Sequence, residues 1–145
     1  MTTANPSQDY AGDLSPQEAW TLLQSDPKAR LVDVRTSAEW NFVGITDLST
    51  LGRDAALVEW QTLPAMQVNP DFVAQAAKAC RETEAPVLFL CRSGARSRSA
   101  AIAMTRAGYL KAYNIAGGFE GDLDPERHRG RKNGWKASGL PWKQT

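Results

Sequence analysis

Residues 86–91, PVLFLC, are apolar without interruption. Successive side chains of a strand point to opposite faces, so a strand written this way offers nothing polar to water on either side. It belongs in the middle of a sheet that other elements cover on both faces. The run is too short for an ordinary helix, and its Val, Leu and Phe suit a strand. The chain must therefore bury one strand completely, as a layered α/β architecture does.

The flanking segments supply the layers. LSPQEAWTLLQ predicts a helix over 16–24: Ser15 is placed to cap it, Pro16 suits the first helical position, and Glu18 stands three residues beyond Ser15, as a capping box requires. RLVDVR, 30–35, predicts a second buried strand in which Asp33 needs a partner. TSAEWNF restarts a helix from a Thr36 or Ser37 cap, and GITDL is a weaker strand around Ile45. Over 52–66 there is some helical spacing, ended by Pro64. NPDFVAQAAKACRE predicts a helix over 70–82, with Asn69 as cap and Phe72, Val73, Ala76, Ala77 and Cys80 on one face. SRSAAIAMTRAGY predicts a helix from near Ser97 to near Gly108, and AYNIAGG a further strand closing on a glycine pair. Strands alternating with helices argue a mostly parallel sheet, whose ligand crevice lies at the carboxyl ends of its strands. VDVR and LFLC both deliver polar groups to that edge.

At 145 residues the chain is the size of one domain, read as 1–145 with a flexible N-terminus over 1–9. Its 17 basic and 16 acidic residues leave a formal charge of +1, which gives no global case for nucleic acid or a membrane surface as partner. MTTANPSQDY lacks the basic and apolar regions of a secretory signal, and no apolar run approaches the ~20 residues that span a bilayer. A cytoplasmic protein is expected. Two cysteines, Cys80 and Cys91, and one histidine, His128, make neither a disulfide framework nor a four-ligand zinc site. A reducing compartment leaves both as thiols, while a Cys80–Cys91 bridge stays open as the alternative. Cys80 reads as a small buried apolar residue.

Cys91 differs because of its neighbours on the C-terminal side: CRSGARS turns from a buried strand into a helix. Gly94 can take the positive φ that such a turn needs, and successive N–H groups of the turn converge as an anion-binding nest. The start of the next helix adds its unpaired N–H groups and partial positive charge. Arg92 and Arg96 add full charges. Positive surroundings favour the thiolate, the form in which a cysteine attacks.

CRSGARS resembles the active-site loop of the rhodanese-family sulfurtransferases. LVDVRTSAEW is similar to that family's first signature, NIAGGF and GWKASGLP to its closing segment, and LSPQEAW to its opening helix. The resemblance spans nearly the whole chain. It implies a three-layer α/β/α rhodanese-like fold with a five-stranded, mostly parallel sheet. It also implies an enzyme in which Cys91 takes the outer sulfur of a donor such as thiosulfate as a persulfide and yields it to cyanide or a thiol. The partners implied are a small anionic sulfur donor and a thiophilic acceptor, a class that includes a protein that accepts sulfur; no cofactor and no metal is called for. Within the loop, Arg92, Ser93, Gly94, Ala95, Arg96 and Ser97 would cradle the persulfide and the departing anion, with Arg92 and Arg96 drawing in the donor. Asp33 and Arg35 would pin the neighbouring strand and loop, Arg35 being the one of the two that could also touch substrate.

Two other functions use the same cysteine. A phosphatase or arsenate reductase on this fold separates Cys and Arg by five residues, so that the arginine grips the oxyanion at two points; here that position is Ser97, and Arg96 comes one residue early. A sulfur-carrier or persulfide-sensing module would hold the sulfur with little turnover alone. The chain also departs from the family pattern. FVGITDLSTLG stands where many members have a Gly-His-Ile-Pro-Gly-Ala segment, and residues 119–134 form an insertion with Arg127, Arg129, Arg131, Lys132 and His128. The insertion reads either as a solvated basic loop or as a flap that steers anions. His128 takes no acid–base role, and Trp40 and Trp60 are expected in the core or at the pocket rim.

Overall fold

In the computed structural model of the chain, which describes residues 9–144, the apolar run is the central strand of a five-stranded parallel sheet. The expected flexible N-terminus lies outside the described residues except for Asp9. In chain order the elements are β1 (Gly12–Leu14), α1 (Pro16–Ser25), β2 (Arg30–Asp33), α2 (Ser37–Phe42), β3 (Ile45–Thr46), a 3-10 turn (Ser49–Leu51), β4 (Ala56–Leu57), β5 (Gln61–Thr62), β6 (Gln67–Val68), α3 (Phe72–Ala79), β7 (Val87–Leu90), α4 (Ala95–Arg106), β8 (Ala112–Ile115) and β9 (Trp142–Lys143). The main sheet runs β1-β8-β7-β2-β4, and each pairing in it is parallel.

The alternation of β7 divides the core in two. Val87, Phe89 and Cys91 pack with Phe72 and Ala76 of α3 and with Ala100, Ala101 and Met104 of α4. Leu88 and Leu90 pack on the other face with Leu23 of α1, Phe119 and Trp135. Each large apolar side chain withdrawn this way stabilises the fold by about 1.5–3 kcal/mol. The result is the three-layer α/β/α arrangement.

Helix starts follow the local chemistry closely. Ser15 Oγ accepts from the Glu18 N–H at 3.1 Å while Glu18 Oε1 accepts from the Ser15 N–H at 2.8 Å, so α1 carries the full capping box. Thr36 and Glu39 make the same reciprocal pair at the start of α2.

Differences arise where tertiary contacts intervene. The strand expected over 30–35 pairs only to Asp33, because the Asp33 carboxylate accepts the Arg35 N–H at 3.1 Å and turns the chain. The helix expected over 70–82 is shorter: Asn69 and Pro70 form a turn in which Asn69 Oδ1 accepts from the Asp71 N–H, and Asp71 is the cap residue. Helix α4 starts at Ala95, not near Ser97. The helical spacing in 52–66 is not used, since Ala56 pairs with Val32 on the sheet edge and Gln61–Thr62 pairs with Gln67–Val68. The tail folds back as expected: Trp135 is fully buried, its Nε1 donates to the Pro141 carbonyl at 2.7 Å, and β9 pairs antiparallel with β3. Among the described residues no helix is long and apolar enough to cross a membrane.

Candidate active site

Cys91 lies one residue beyond β7, at the carboxyl edge of the sheet, and is 1% exposed. The chain reverses there because Gly94 takes φ +122° as the cap residue of α4. That reversal brings the Gly94 N–H to 3.1 Å from Cys91 Sγ. Ser97, on the first turn of α4 and fully buried, sets its hydroxyl oxygen 3.2 Å from the same sulfur. Ala95, Arg96 and Ser97 open the helix and have no intrahelical carbonyl for their N–H groups. A buried sulfur at the head of a helix, within reach of a main-chain donor, has the surroundings of a nucleophile more than of a packing residue.

The two arginines of the loop differ. Arg92 is exposed. Arg96 forks onto Glu39 of α2, Nη1 to Oε1 at 2.7 Å and Nη2 to Oε2 at 3.0 Å. Burial pushes the Glu39 carboxyl up, but the Arg96 guanidinium and the Thr36 hydrogen bonds outweigh it and hold the group below its ordinary value. Hydrogen bonding to Glu39 in turn raises Arg96. The charge expected to be free at Arg96 is thus committed to a carboxylate, and Arg92 is the exposed cation of the loop. Ser93 is half-buried and Ala95 exposed.

Asp33 and Arg35 form a wholly buried pair below this loop. The Arg35 Nη2 donates to Asp33 Oδ2 at 2.6 Å and to the Gly44 carbonyl at 2.7 Å, and its Nε donates to Asp33 Oδ1 at 2.9 Å. The guanidinium carbon sits 4.3 Å from the centre of the Phe119 ring. Strand end, the Gly44 turn and the segment after β8 are tied together at one point. Arg35 Nη1 is buried with no partner among the described residues.

That segment after β8 underlies Cys91 directly. The Phe119 N–H donates to the Cys91 carbonyl at 2.8 Å, and the Glu120 and Gly121 N–H groups donate to the Arg92 carbonyl at 3.0 and 3.1 Å. A Cβ on Gly118 would stand 2.4 Å from the Cys91 carbonyl oxygen, so only glycine lets the two backbones approach this closely.

The best-enclosed cavity, about 220 Å³, lies elsewhere: it is at the amino end of the sheet, lined by Lys28, Arg30, Lys78, Cys80, Arg81 and Val87. Cys80 and Cys91 are both free thiols, so no bridge joins them. Burial pushes the Cys80 thiol up to about 11, which leaves it protonated and inert. Cys91, by contrast, does not line that cavity, and its sulfur meets the Gly94 N–H.

The family model described as the STR4 middle domain matches residues 11–145. A thiosulfate sulfurtransferase GlpE of Tolumonas auensis is 34% identical over 108 residues, covering 74% of this chain and 84% of that protein. The chain belongs to the rhodanese-like sulfurtransferases. The Rickettsia conorii protein RC0915 is 38% identical over 126 residues, covering 86% of this chain and 91% of its own. Among solved structures, Rv0390 of M. tuberculosis matches with a TM-score of 0.86 and 51% identity over 94% of this chain and 99% of its own. The polysulfide-sulfur transferase of Wolinella succinogenes, at 24% identity and a TM-score of 0.61 over 94% of this chain and 80% of its own, shares the fold.

Within this rhodanese-like site the sequence alone did not single out Glu39, Gly44, Asn114 or Gly118. Glu39 carried a signal in its place beside Trp40 in SAEW, and Gly118 in the glycine pair of NIAGGF. Asn114 carried the same signal as the first residue of NIAGGF, and the Gly44 carbonyl carried none. Trp60 packs edge-on against Phe72 at 5.0 Å, and Trp40 is half-buried with its Nε1 enclosed, so both are core or rim residues.

Proposed function

We propose that the protein is a thiosulfate sulfurtransferase that moves a sulfane sulfur through a persulfide on Cys91. The Cys91 thiolate attacks the outer sulfur of thiosulfate; the new bond joins Sγ to that sulfur, and the electron pair of the broken sulfur–sulfur bond leaves with sulfite. An acceptor, cyanide or a thiol, then attacks the outer sulfur of the persulfide, and the Cys91 thiolate departs with the electron pair of that bond. A low-molecular-weight persulfide is the alternative donor, and a protein thiol belongs to the acceptor class. Both half-reactions together return the enzyme to its starting state, so ping-pong kinetics are expected. The setting is a reducing, cytoplasmic one, in which Cys91 stays a thiol between turnovers.

The observation that carries this reading is Cys91 Sγ at the carboxyl edge of the central strand, 3.1 Å from the Gly94 N–H at the head of α4. Arg92 and the loop from Ser93 to Ser97 would receive the anionic donor and the outer sulfur. The Asp33–Arg35 pair supports the loop from beneath. Against the phosphatase reading stands Arg96, whose guanidinium is already engaged at two points by Glu39. Mass measurement after thiosulfate treatment tests the proposal: one added sulfur on Cys91, removed by cyanide as thiocyanate, is expected. No added sulfur would overturn it, and a persistent persulfide with negligible steady-state turnover would instead make the chain a carrier.

A further inference from the structure

A chain of hydrogen bonds runs from Cys91 through α4 to the edge of the sheet. Ser97 Oγ lies 2.6 Å from Asn114 Oδ1, 3.2 Å from Cys91 Sγ and 3.2 Å from the Gly94 carbonyl. Asn114 Nδ2 donates to Asp13 Oδ1 at 3.0 Å, and the Tyr10 hydroxyl donates to the same oxygen at 2.8 Å. Ser97 is 0% and Asn114 5% exposed.

Counting protons and comparing distances orders these bonds. An ionised carboxylate only accepts, so Asn114 turns its NH2 toward Asp13 and its Oδ1 toward Ser97. Ser97 has a single hydroxyl proton for three acceptors, Asn114 Oδ1 at 2.6 Å, Cys91 Sγ at 3.2 Å and the Gly94 carbonyl at 3.2 Å, and the nearest of them, the amide oxygen, takes it. What remains toward Cys91 is a lone pair. The sulfur therefore meets one donor, the Gly94 N–H, and one acceptor, Ser97 Oγ. That pairing suits a thiol, which accepts the N–H and donates its S–H. It does not suit a thiolate, which needs Ser97 to turn and abandon Asn114.

We propose that Asp13 and Asn114 are positioning residues that commit the Ser97 proton, so that Ser97 presents an acceptor to Cys91 and favours the states in which Sγ carries no charge. The inference deepens the sulfur-transfer reading and takes its significance from it. The inner sulfur of a persulfide is bonded to a second sulfur and is uncharged, so it needs no donor from Ser97. The thiolate released in the second half-reaction does. The network thus favours the loaded enzyme and slows unloading, in opposition to the donors at the head of α4.

Charged and titratable groups face this region from several elements: Arg96 on α4 with Glu39 on α2, Arg92 and the adjoining Glu120, the Asp33–Arg35 pair at the end of β2, and Asp13 of β1 with Tyr10. Arg98 lies over the Tyr10 ring at 5.7 Å. An Asn114→Leu substitution changes none of these charges and frees the Ser97 proton for Sγ. Asp13 is exposed, so Asp13→Ala leaves no cavity in the core; it lets the amide turn over, but it also removes a negative charge and the acceptor of the Tyr10 hydroxyl.

The experiment is the pH profile of Cys91 alkylation by iodoacetamide, in a Cys80→Ala background and without any sulfur donor. Asn114→Leu is expected to lower the midpoint by about one pH unit, a tenfold gain in rate on the acid limb, and Asp13→Ala to lower it as well. In a Ser97→Ala background the Asn114→Leu shift should vanish and the Asp13→Ala shift should shrink to its charge contribution, because the coupling passes through Ser97. An unchanged or raised midpoint, or shifts of equal size with and without Ser97, would overturn the inference. Because alkylation reports on Cys91 alone, a wild-type protein that takes no sulfur from thiosulfate yet shows these shifts would sink the transferase reading and leave the network standing.

Discussion

At the scale of single residues, Cys80 and Cys91 are both buried thiols distinguished only by what surrounds them. Cys80 packs in an apolar face, and its ionisation is pushed up to about 11 from an ordinary 9.0. Its folded value lies above its unfolded one, so the folded state suffers no penalty below pH 9 and loses stability between there and about 11. Cys80→Ala should flatten the alkaline end of the stability curve, read by urea midpoints across that range, and should leave transfer intact. Cys91→Ala should abolish both persulfide formation and thiocyanate production; activity equal to wild type would sink the central proposal. The buried Asp33–Arg35 pair makes a separate prediction. Asp33→Ala strands a guanidinium that is 0% exposed, and removing one partner of a buried pair costs roughly 3–5 kcal/mol. Denaturant unfolding should show that loss, whereas a loss under about 1 kcal/mol would mean the pair is hydrated or dispensable.

At the scale of elements, the Glu39–Arg96 fork joins α2 to α4 across 57 residues of chain. Glu39 is held below its ordinary value of 4.5, so between the folded and unfolded values the unfolded chain binds more protons. The stability this pair contributes is present above about 4.5 and is lost as pH falls through the lower, folded value. Wild type should therefore lose its advantage over Glu39→Gln on acidification below 4.5, measured as the difference in unfolding midpoint; a constant difference would show the pair to be energetically idle. The segment after β8 offers a second test. Gly118 has φ +61°, and a Cβ there meets main-chain atoms of Cys91 and Arg92 at 2.4–2.7 Å. Gly118→Ala must displace the backbone of Cys91, so on the proposed role of that residue it should lower kcat as well as stability. Gly94→Ala meets nothing closer than 3.7 Å and should lose about 1–3 kcal/mol through its φ of +122° alone.

At the scale of the whole molecule, the segment over 119–134 is less basic than its cations suggest. Glu120, Asp122, Asp124 and Glu126 accompany Arg127, Arg129, Arg131 and Lys132. Arg129 donates to the Gly121 carbonyl at 2.6 Å, and Arg131 faces Asp124 at 4.0 Å. Asp124 also accepts the Glu126 and His128 N–H groups, which closes the loop on itself. Neutralising Arg127 and Lys132 should thus leave KM for thiosulfate within about twofold even at low salt; a several-fold rise would restore the loop as a guide for anions.

Much of this was legible in the sequence, where a signal is local. The PVLFLC run required a central strand, the Ser15–Glu18 spacing required one helix start and TSAEWNF another from Thr36 or Ser37, and CRSGARS required a turn that sets a cysteine at the head of a helix. Such signals rest on side-chain alternation or on contacts within four residues, and they survive any tertiary arrangement. Strand order and helix packing decided the rest. Arg96 finds Glu39 because α2 and α4 start beyond the carboxyl ends of the paired strands β2 and β7, and Asn114 finds Asp13, 101 residues away, because β8 pairs with β1. Gly118 lies under Cys91 because the chain leaving β8 passes beneath the loop. A charge or a polar group written in the sequence announces that it needs a partner, but which partner it obtains depends on what the fold brings within about 3 Å.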